Sequence, residues 1–380
     1  MIAFGLMAGL NVVGCGNESN GANRPIAAQL QTVLDRAVAN SDGKMPGAML
    51  FISSKELGTW TCAAGLRNIE NGLTMAPDNR FRAGSILKTF VSTVVLQLVE
   101  EGRFALDDPI RGLLPESITD AIPHSDAITL RMLLNHTAGI ADWLTDSVHT
   151  EIVSDPGHLW RTEEYLQLAT AQGPTFDPGK GWAYSNTDYN ILGLVIERAT
   201  GRSWREEIRE RVLSRLQLAN TSLPEPGNRT ASDKHARGYH AADGKLIDLT
   251  EVDPSMAGAA GGHALVTTTQ DLARFLEVLL AGKLFQNPST LKEMLTFVGT
   301  PNEHGFPYYY GLGVDKWVFP GDAKLVGHFG GTAGFSSAVY HLPDKGITVS
   351  AAINTMDPEG LFTEIVLPAI DILKKALPNT

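Results

Sequence analysis

Cysteine is nearly absent from this chain: its 380 residues include two, Cys15 and Cys62. That excludes a disulfide-built scaffold and a cysteine-ligated zinc centre. Positive charge is also scarce. The 31 Lys and Arg are outnumbered by 42 Asp and Glu, the formal net charge is -11, and no run of Lys or Arg occurs. A nucleic-acid partner is therefore not expected. The 10 histidines are scattered, with no H-x-H or H-E-x-x-H spacing, so neither a metal nor another cofactor is expected. Long hydrophobic runs are lacking too. The apolar stretch from Met1 to Gly14 is too short to span a bilayer as an ordinary helix.

What remains is an ordinary globular composition, 43% apolar and 19% charged with 38 Gly, long enough for two domains or one large mixed unit. The apolar start ends in Val12-Val13-Gly14-Cys15 and gives way to polar Gly16–Gly21, the shape of an export signal followed by a tether. It is similar to the bacterial lipoprotein box, which implies cleavage before Cys15, lipidation of Cys15 and a place at the cell envelope or periplasm. Residues 1–23 are read as signal and tether. Pro25 opens a helix to about Asn40, and Gly47–Ile52 and Thr59–Ala63 read as strands, with Cys62 packing as a small apolar residue. Helix-rich sequence follows. The stretch 129–136 is a short helix, Thr162 caps another, and a long one runs from Thr187 to Gly201. Ser203–Leu216 reads as a charged surface helix and 220–265 as mostly loop. Strand patterns return at Tyr308–Asp315, Lys324–His328, Phe335–His341 and Ile347–Asn354, before a last helix at 361–377. Strands at both ends and helices between them predict an α+β fold: one sheet unit from 24–84 and 265–380, with a mainly helical unit, 85–264, inserted.

The stretch Arg82-Ala83-Gly84-Ser85-Ile86-Leu87-Lys88 stands out. From Ile86 to Val99 nearly every residue is apolar or small, so the helix should be buried, with Gly102 as its stop. Ser85 falls at the N-cap position and Lys88 one turn on, on nearly the same face. A structural lysine is costly there. A hydroxyl and an amine one turn apart, beside free helix-end N–H groups, are the parts of a serine nucleophile.

Two further motifs follow in order, Tyr184-Ser185-Asn186 and His328-Phe329-Gly330 within Gly327–Phe335. Together with Ser85-Ile86-Leu87-Lys88 this resembles the penicillin-recognising serine hydrolases, in the branch of class C β-lactamases and secreted D-alanyl-D-alanine carboxypeptidases. The likeness extends over Thr129–Gly139, Pro178–Glu197 and Gly261–Leu280. It implies a β-lactamase/transpeptidase-like fold, an antiparallel sheet flanked by helices with an all-α insertion, and an acyl-serine mechanism without a cofactor. By resemblance Ser85 is the nucleophile, and its proton goes either to Lys88 or to Tyr184, the latter as a phenolate favoured by the lysine charge. Asn186, His328 and Gly330 bind substrate, and the backbone N–H groups of Ser85 and Gly331 form the oxyanion hole. The implied substrate is a small peptide, ester or β-lactam. The implied state is a monomer that touches the membrane only through a lipid on Cys15.

Two positions depart from the carboxypeptidase pattern. Phe329 stands where those enzymes carry Thr, and Asp315, after Tyr310-Gly311-Leu312-Gly313-Val314, stands where they carry an arginine for the substrate carboxylate. A repelling carboxylate would weaken such a substrate. The default reading is a D-alanyl-D-alanine carboxypeptidase acting on peptidoglycan peptides. The departures move weight toward an esterase or a D-amino-acid peptidase or amidase. A class C β-lactamase and a non-hydrolytic penicillin-binding sensor are the further alternatives.

Overall fold

The structure is a computed structural model. It describes residues 15–17, 24–229, 233–242, 244–301, 306–319 and 323–377. The apolar stretch 1–14 and most of the tether lie outside the described residues. One antiparallel sheet dominates. Its main path is β1 (Gly16–Asn17), β2 (Gly47–Ser54), β3 (Gly58–Asn68), β4 (Val298–Gly299), β5 (Tyr308–Tyr310), β6 (Asp315–Phe319), β7 (Ala323–Thr332), β8 (Phe335–Leu342) and β9 (Ile347–Ile353), in spatial order β1-β3-β2-β9-β8-β7-β6-β5-β4, and a two-residue strand, Leu73–Thr74, pairs with β3 off that path. The chain leaves the sheet after Leu73–Thr74 and returns at β4, so strands from its two ends meet at the β2–β9 ladder.

Each face of the sheet carries its own core. Alternation places Leu50, Ile52, Tyr340, Val349 and Ala351 on one face, covered by α1 (Arg24–Asn40) and the C-terminal helix α5 (Leu367–Ala376). On the other face Met49, Val339 and Ala352 join the core built around α2 (Leu87–Glu100), α3 (Asn186–Thr200) and α4 (Thr269–Leu280). Residues Leu87 to Leu98 of α2 are all buried, as its all-round apolar sequence demands. Each of its large apolar side chains contributes about 1.5–3 kcal/mol. This packing keeps Lys88, which is 0% exposed, out of water. Among the described residues no helix is long and apolar enough to cross a membrane.

Four expectations need correction. Tyr308–Asp315 is two strands, because Gly313 turns the chain at φ +77 between β5 and β6. The 204–214 helix is half-buried rather than a surface helix: Trp204, Ile208, Val212 and Leu213 face the core, and buried Glu207 accepts from Arg211 at 2.5 Å. Ser85 is not an N-cap. It lies in a 3-10 turn, Gly84–Ile86, that runs on into α2. Finally, Cys62 is buried but bonded, through a disulfide to Cys15. The bond uses the sulfur that a lipid on Cys15 would need, so the two fates exclude each other.

Candidate active site

Glycine geometry brings the nucleophile turn against the sheet. Gly84 takes φ +57, and a Cβ there would stand 2.6 Å from the Gly331 carbonyl oxygen and 3.0 Å from its nitrogen. Gly261 packs behind it, with no room for a Cβ beside the Gly84 carbonyl (2.6 Å). The backbones of Ser85 and Gly331 are thereby brought side by side, the arrangement that two oxyanion-hole N–H groups require. On β7, residues 323–327 pair with β6 and 326–332 with β8. Residues 328–332 therefore have a ladder partner on one side only, and their other edge is open beside Ser85.

Lys88 is the centre of the site. Its ammonium nitrogen lies 3.1 Å from Ser85 Oγ, 2.7 Å from Asn186 Oδ1 and 2.5 Å from the Ala260 carbonyl. It also sits 4.7 Å from the centroid of the Tyr184 ring and 5.5 Å from that of Tyr189. Burial pulls its pKa down to about 7, against the opposing pull of Asp142 and Asp188. Near neutral pH a large share of it is a free amine, able to take a proton.

Tyr184 closes the cleft with its hydroxyl engaging the Ser85 side chain. Its ring edge reaches solvent, but burial of the hydroxyl end holds its pKa well above the ordinary phenol value, with the Ser85 contact opposing and Tyr189 and Asp142 reinforcing. The expected phenolate is thus disfavoured, because burial outweighs the opposing contact with Ser85. Asn186 bridges Lys88 and Asp142: its oxygen accepts from the Lys88 amine at 2.7 Å, and its amide nitrogen donates to Asp142 Oδ2 at 2.8 Å.

His328 is 2% exposed. Its Nε2 is 2.8 Å from the Tyr310 hydroxyl and its Nδ1 is 2.5 Å from the Phe329 carbonyl, while burial, and then Lys88, lower its pKa to about 3. It is a neutral brace for the strand, with both nitrogens engaged. Gly330 is required sterically, since a Cβ there would lie 2.0 Å from the Ala83 carbonyl oxygen.

Sequence reasoning missed Asp142, Asp188 and His136. His136 Nδ1 lies 3.0 Å from Asp188 Oδ2 beneath Tyr184, with burial lowering the imidazole's pKa well below and raising the carboxyl's well above their ordinary values. An acidic residue in the buried first turn of α3, two positions after Asn186, was the available signal.

The two departures also move. Asp315 is opposite Gly327, and Tyr340 is opposite Gly327 from the other side. Asp315 accepts from the Tyr340 hydroxyl at 3.0 Å, on the face packed against α1 and α5, away from the face that holds His328. Burial raises its pKa well above the ordinary carboxylate value, and the side chain turns inward, away from substrate. Phe329 points to the same face. It lies 6.4 Å from Phe362 ring to ring and reaches the open edge near Met356, the two side chains ending 3.5 and 3.7 Å from where a Gly331 Cβ would be.

The comparisons with known proteins agree with this geometry. A profile of the family described as Beta-lactamase matches residues 28–367. The chain belongs to the β-lactamase family. Its fold is β-lactamase-like. Among solved structures it is similar to a D-stereospecific amidohydrolase from Streptomyces sp., at 33% identity, covering 89% of this chain and 97% of that one with a TM-score of 0.78. Among curated β-lactamase-family relatives it is 29% identical to esterase EstB of Burkholderia gladioli, over 74% of this chain and 75% of that protein. It is 24% identical to protein flp of Staphylococcus aureus over 86% of this chain, but spans 63% of flp's own length.

Proposed function

We propose that this protein hydrolyses small esters or D-amino-acid amides through an acyl-enzyme on Ser85. The observation that carries the reading is the Lys88 amine, 3.1 Å from the Ser85 hydroxyl and drawn down to about 7 by burial. In the proposed sequence Ser85 Oγ attacks the substrate carbonyl carbon and its proton passes to the Lys88 amine. The oxygen of the tetrahedral intermediate rests on the backbone N–H groups of Ser85 and Gly331. Tyr184 acts as a neutral phenol, relaying the proton from the lysine side to the departing alcohol or amine. Water then repeats the sequence and releases the acid.

The resemblance to an amidohydrolase and an esterase supports substrates of that kind. So does the apolar lip of Phe329 and Met356 beside the open strand edge, which suits an uncharged or apolar group better than a terminal carboxylate. Peptidoglycan carboxypeptidase activity is the second reading, favoured by the shared motif set. Mass spectrometry after exposure to a p-nitrophenyl ester and to a penicillin tests the core of the proposal: acyl mass on Ser85 in the parent, none in Ser85→Ala. Ester and D-phenylalanine amide turnover should exceed release of D-Ala from a D-Ala-D-Ala peptide. The reverse order would replace the first reading with the second. Export is likewise proposed, supported by the Cys15–Cys62 bond, which belongs to oxidising compartments.

A further inference from the structure

A second concavity lies away from this chemistry. It has a volume of about 680 Å³ and is formed by residues 209–225 together with Arg80, Arg82, His235 and Val266. None of Ser85, Lys88, Tyr184, Asn186 and His328 lines it.

Its lining is rich in cationic groups that lack counter-charges. Arg82 is 2% exposed and, among the described residues, forms no ion pair. Its guanidinium donates to two carbonyls, His263 at 2.8 Å and Thr250 at 3.5 Å, and its Nε has no partner. Asp253 and Glu251 act on it only from beyond contact. Among the described residues Arg80 forms no ion pair either. It reaches Asn220 Oδ1 at 3.3 Å and leaves its buried Nε unpartnered. His235, 6% exposed, is held neutral by burial and by Arg82, which lower its pKa to about 3; its Nδ1 donates to the Ala236 carbonyl at 2.6 Å. The carboxylate in the lining, Glu225, pairs with Arg209 at 3.4 Å.

Desolvated cations are ordinarily matched by negative charge in contact with them. The guanidinium groups of Arg80 and Arg82 line this cavity without one among the described residues. The volume lies in the range of small organic ligands rather than of a bare ion. The rest of the wall supplies apolar surface from Leu213, Leu218 and Leu223.

We propose that this cavity is a second binding site, for a small organic anion whose phosphate or carboxylate group is held by Arg80 and Arg82 and whose apolar body lies along Leu213, Leu218 and Leu223. Arg82 is three residues before the nucleophile, in a two-residue ladder with Val266–Thr267. The following Ala83 is fixed at both backbone groups, its N–H by Leu265 at 2.9 Å and its carbonyl by the Ser337 hydroxyl at 2.9 Å. An anion at Arg82 therefore stiffens the segment that presents Ser85.

The test is isothermal titration of the full chain with inorganic phosphate, phenyl phosphate and benzoate at constant ionic strength. One-to-one binding of phenyl phosphate or benzoate is expected, tighter than that of inorganic phosphate and retained in Ser85→Ala. In Arg80→Ala it should weaken by about tenfold, the scale of one charge-assisted hydrogen bond. In Ser214→Trp, an exposed lining position where the indole fills the cavity and no charge is removed, it should vanish. Should Arg80→Ala fail to fold by circular dichroism, Ser214→Trp decides alone. The proposal is overturned by no saturable binding below about 10 mM, or by binding that survives Ser214→Trp. Loss of binding in Ser85→Ala would place the ligand in the catalytic cleft and overturn it as well, and equal affinity for inorganic phosphate would remove the organic-anion assignment.

Discussion

At the scale of single residues, the site depends on keeping one amine uncharged. Lys88 has a folded pKa of about 7 and an ordinary value of 10.5, and proton transfer from Ser85 needs its neutral form. The acid limb of kcat/KM for an ester should therefore fall near pH 7, with activity lost below it. Asp142, which orients Asn186 and raises the lysine's pKa, sets where that limb lies. Asp142→Asn removes the charge, so the limb should move to lower pH by about one unit, while kcat drops as Asn186 loses its fixed orientation. A pH profile that keeps its acid limb in the variant would remove Lys88 from the role of base. The same shift has a stability consequence of definite sign. Between about 7 and 10.5 the unfolded lysine holds a proton that the folded one does not, so this term stabilises as pH rises and is lost as pH falls through 7. Lys88→Met should be inactive, and its unfolding free energy should rise less steeply from pH 7 to 10 than that of the parent in urea titrations.

At the scale of elements, the contact between the nucleophile turn and β7 is made by glycines, and they are not equivalent. A Cβ on Gly330 meets the Ala83 carbonyl oxygen at 2.0 Å, whereas one on Gly331 meets Phe329 and Met356 at ordinary contact distances. Gly330→Ala should therefore lose about 1–3 kcal/mol in thermal or urea unfolding and most of its ester turnover, because strand and turn must separate. Gly331→Ala keeps the oxyanion amide and should retain both. Similar loss in the two variants would contradict the placement of the strand. The sequence announced this contact only in part. Gly327–Phe335 is visibly glycine-rich, yet which glycine is sterically required depends on which face of β7 meets Ala83. The same gap explains Asp315 and Phe329. Their spacing from neighbouring motifs is plain in the sequence, but their faces follow from the β6–β7 register, and that register turns both toward α5.

At the scale of the whole molecule, the Cys15–Cys62 bridge ties β1 to β3 at the outer end of the sheet, across 47 residues of sequence. A loop of that size restricts the unfolded chain by about 2–4 kcal/mol. Reduction, or Cys62→Ser, should lower the midpoint of thermal unfolding and leave ester turnover intact, because the bridge belongs to the core on the face opposite Lys88. Peptide mass mapping without reductant should show residues 15 and 62 linked. A lipid-modified Cys15 peptide would show instead that the sulfur is used for anchoring.

By itself the sequence determined what is local. The buried helix behind Ser85 follows from its apolar period, the Ser-Lys spacing from one helical turn, and the motif order from the chain. Tertiary structure decided what depends on faces and on distant neighbours: that Tyr184 stays protonated, that Asn186 bridges Lys88 and Asp142, and that Asp315 turns away. It also decided that two arginines far from the motifs, Arg80 and Arg82, share a cavity. Spacing sets which residues are near along one element, but charge state and direction come from groups many residues away, brought close by the return of the chain into the sheet.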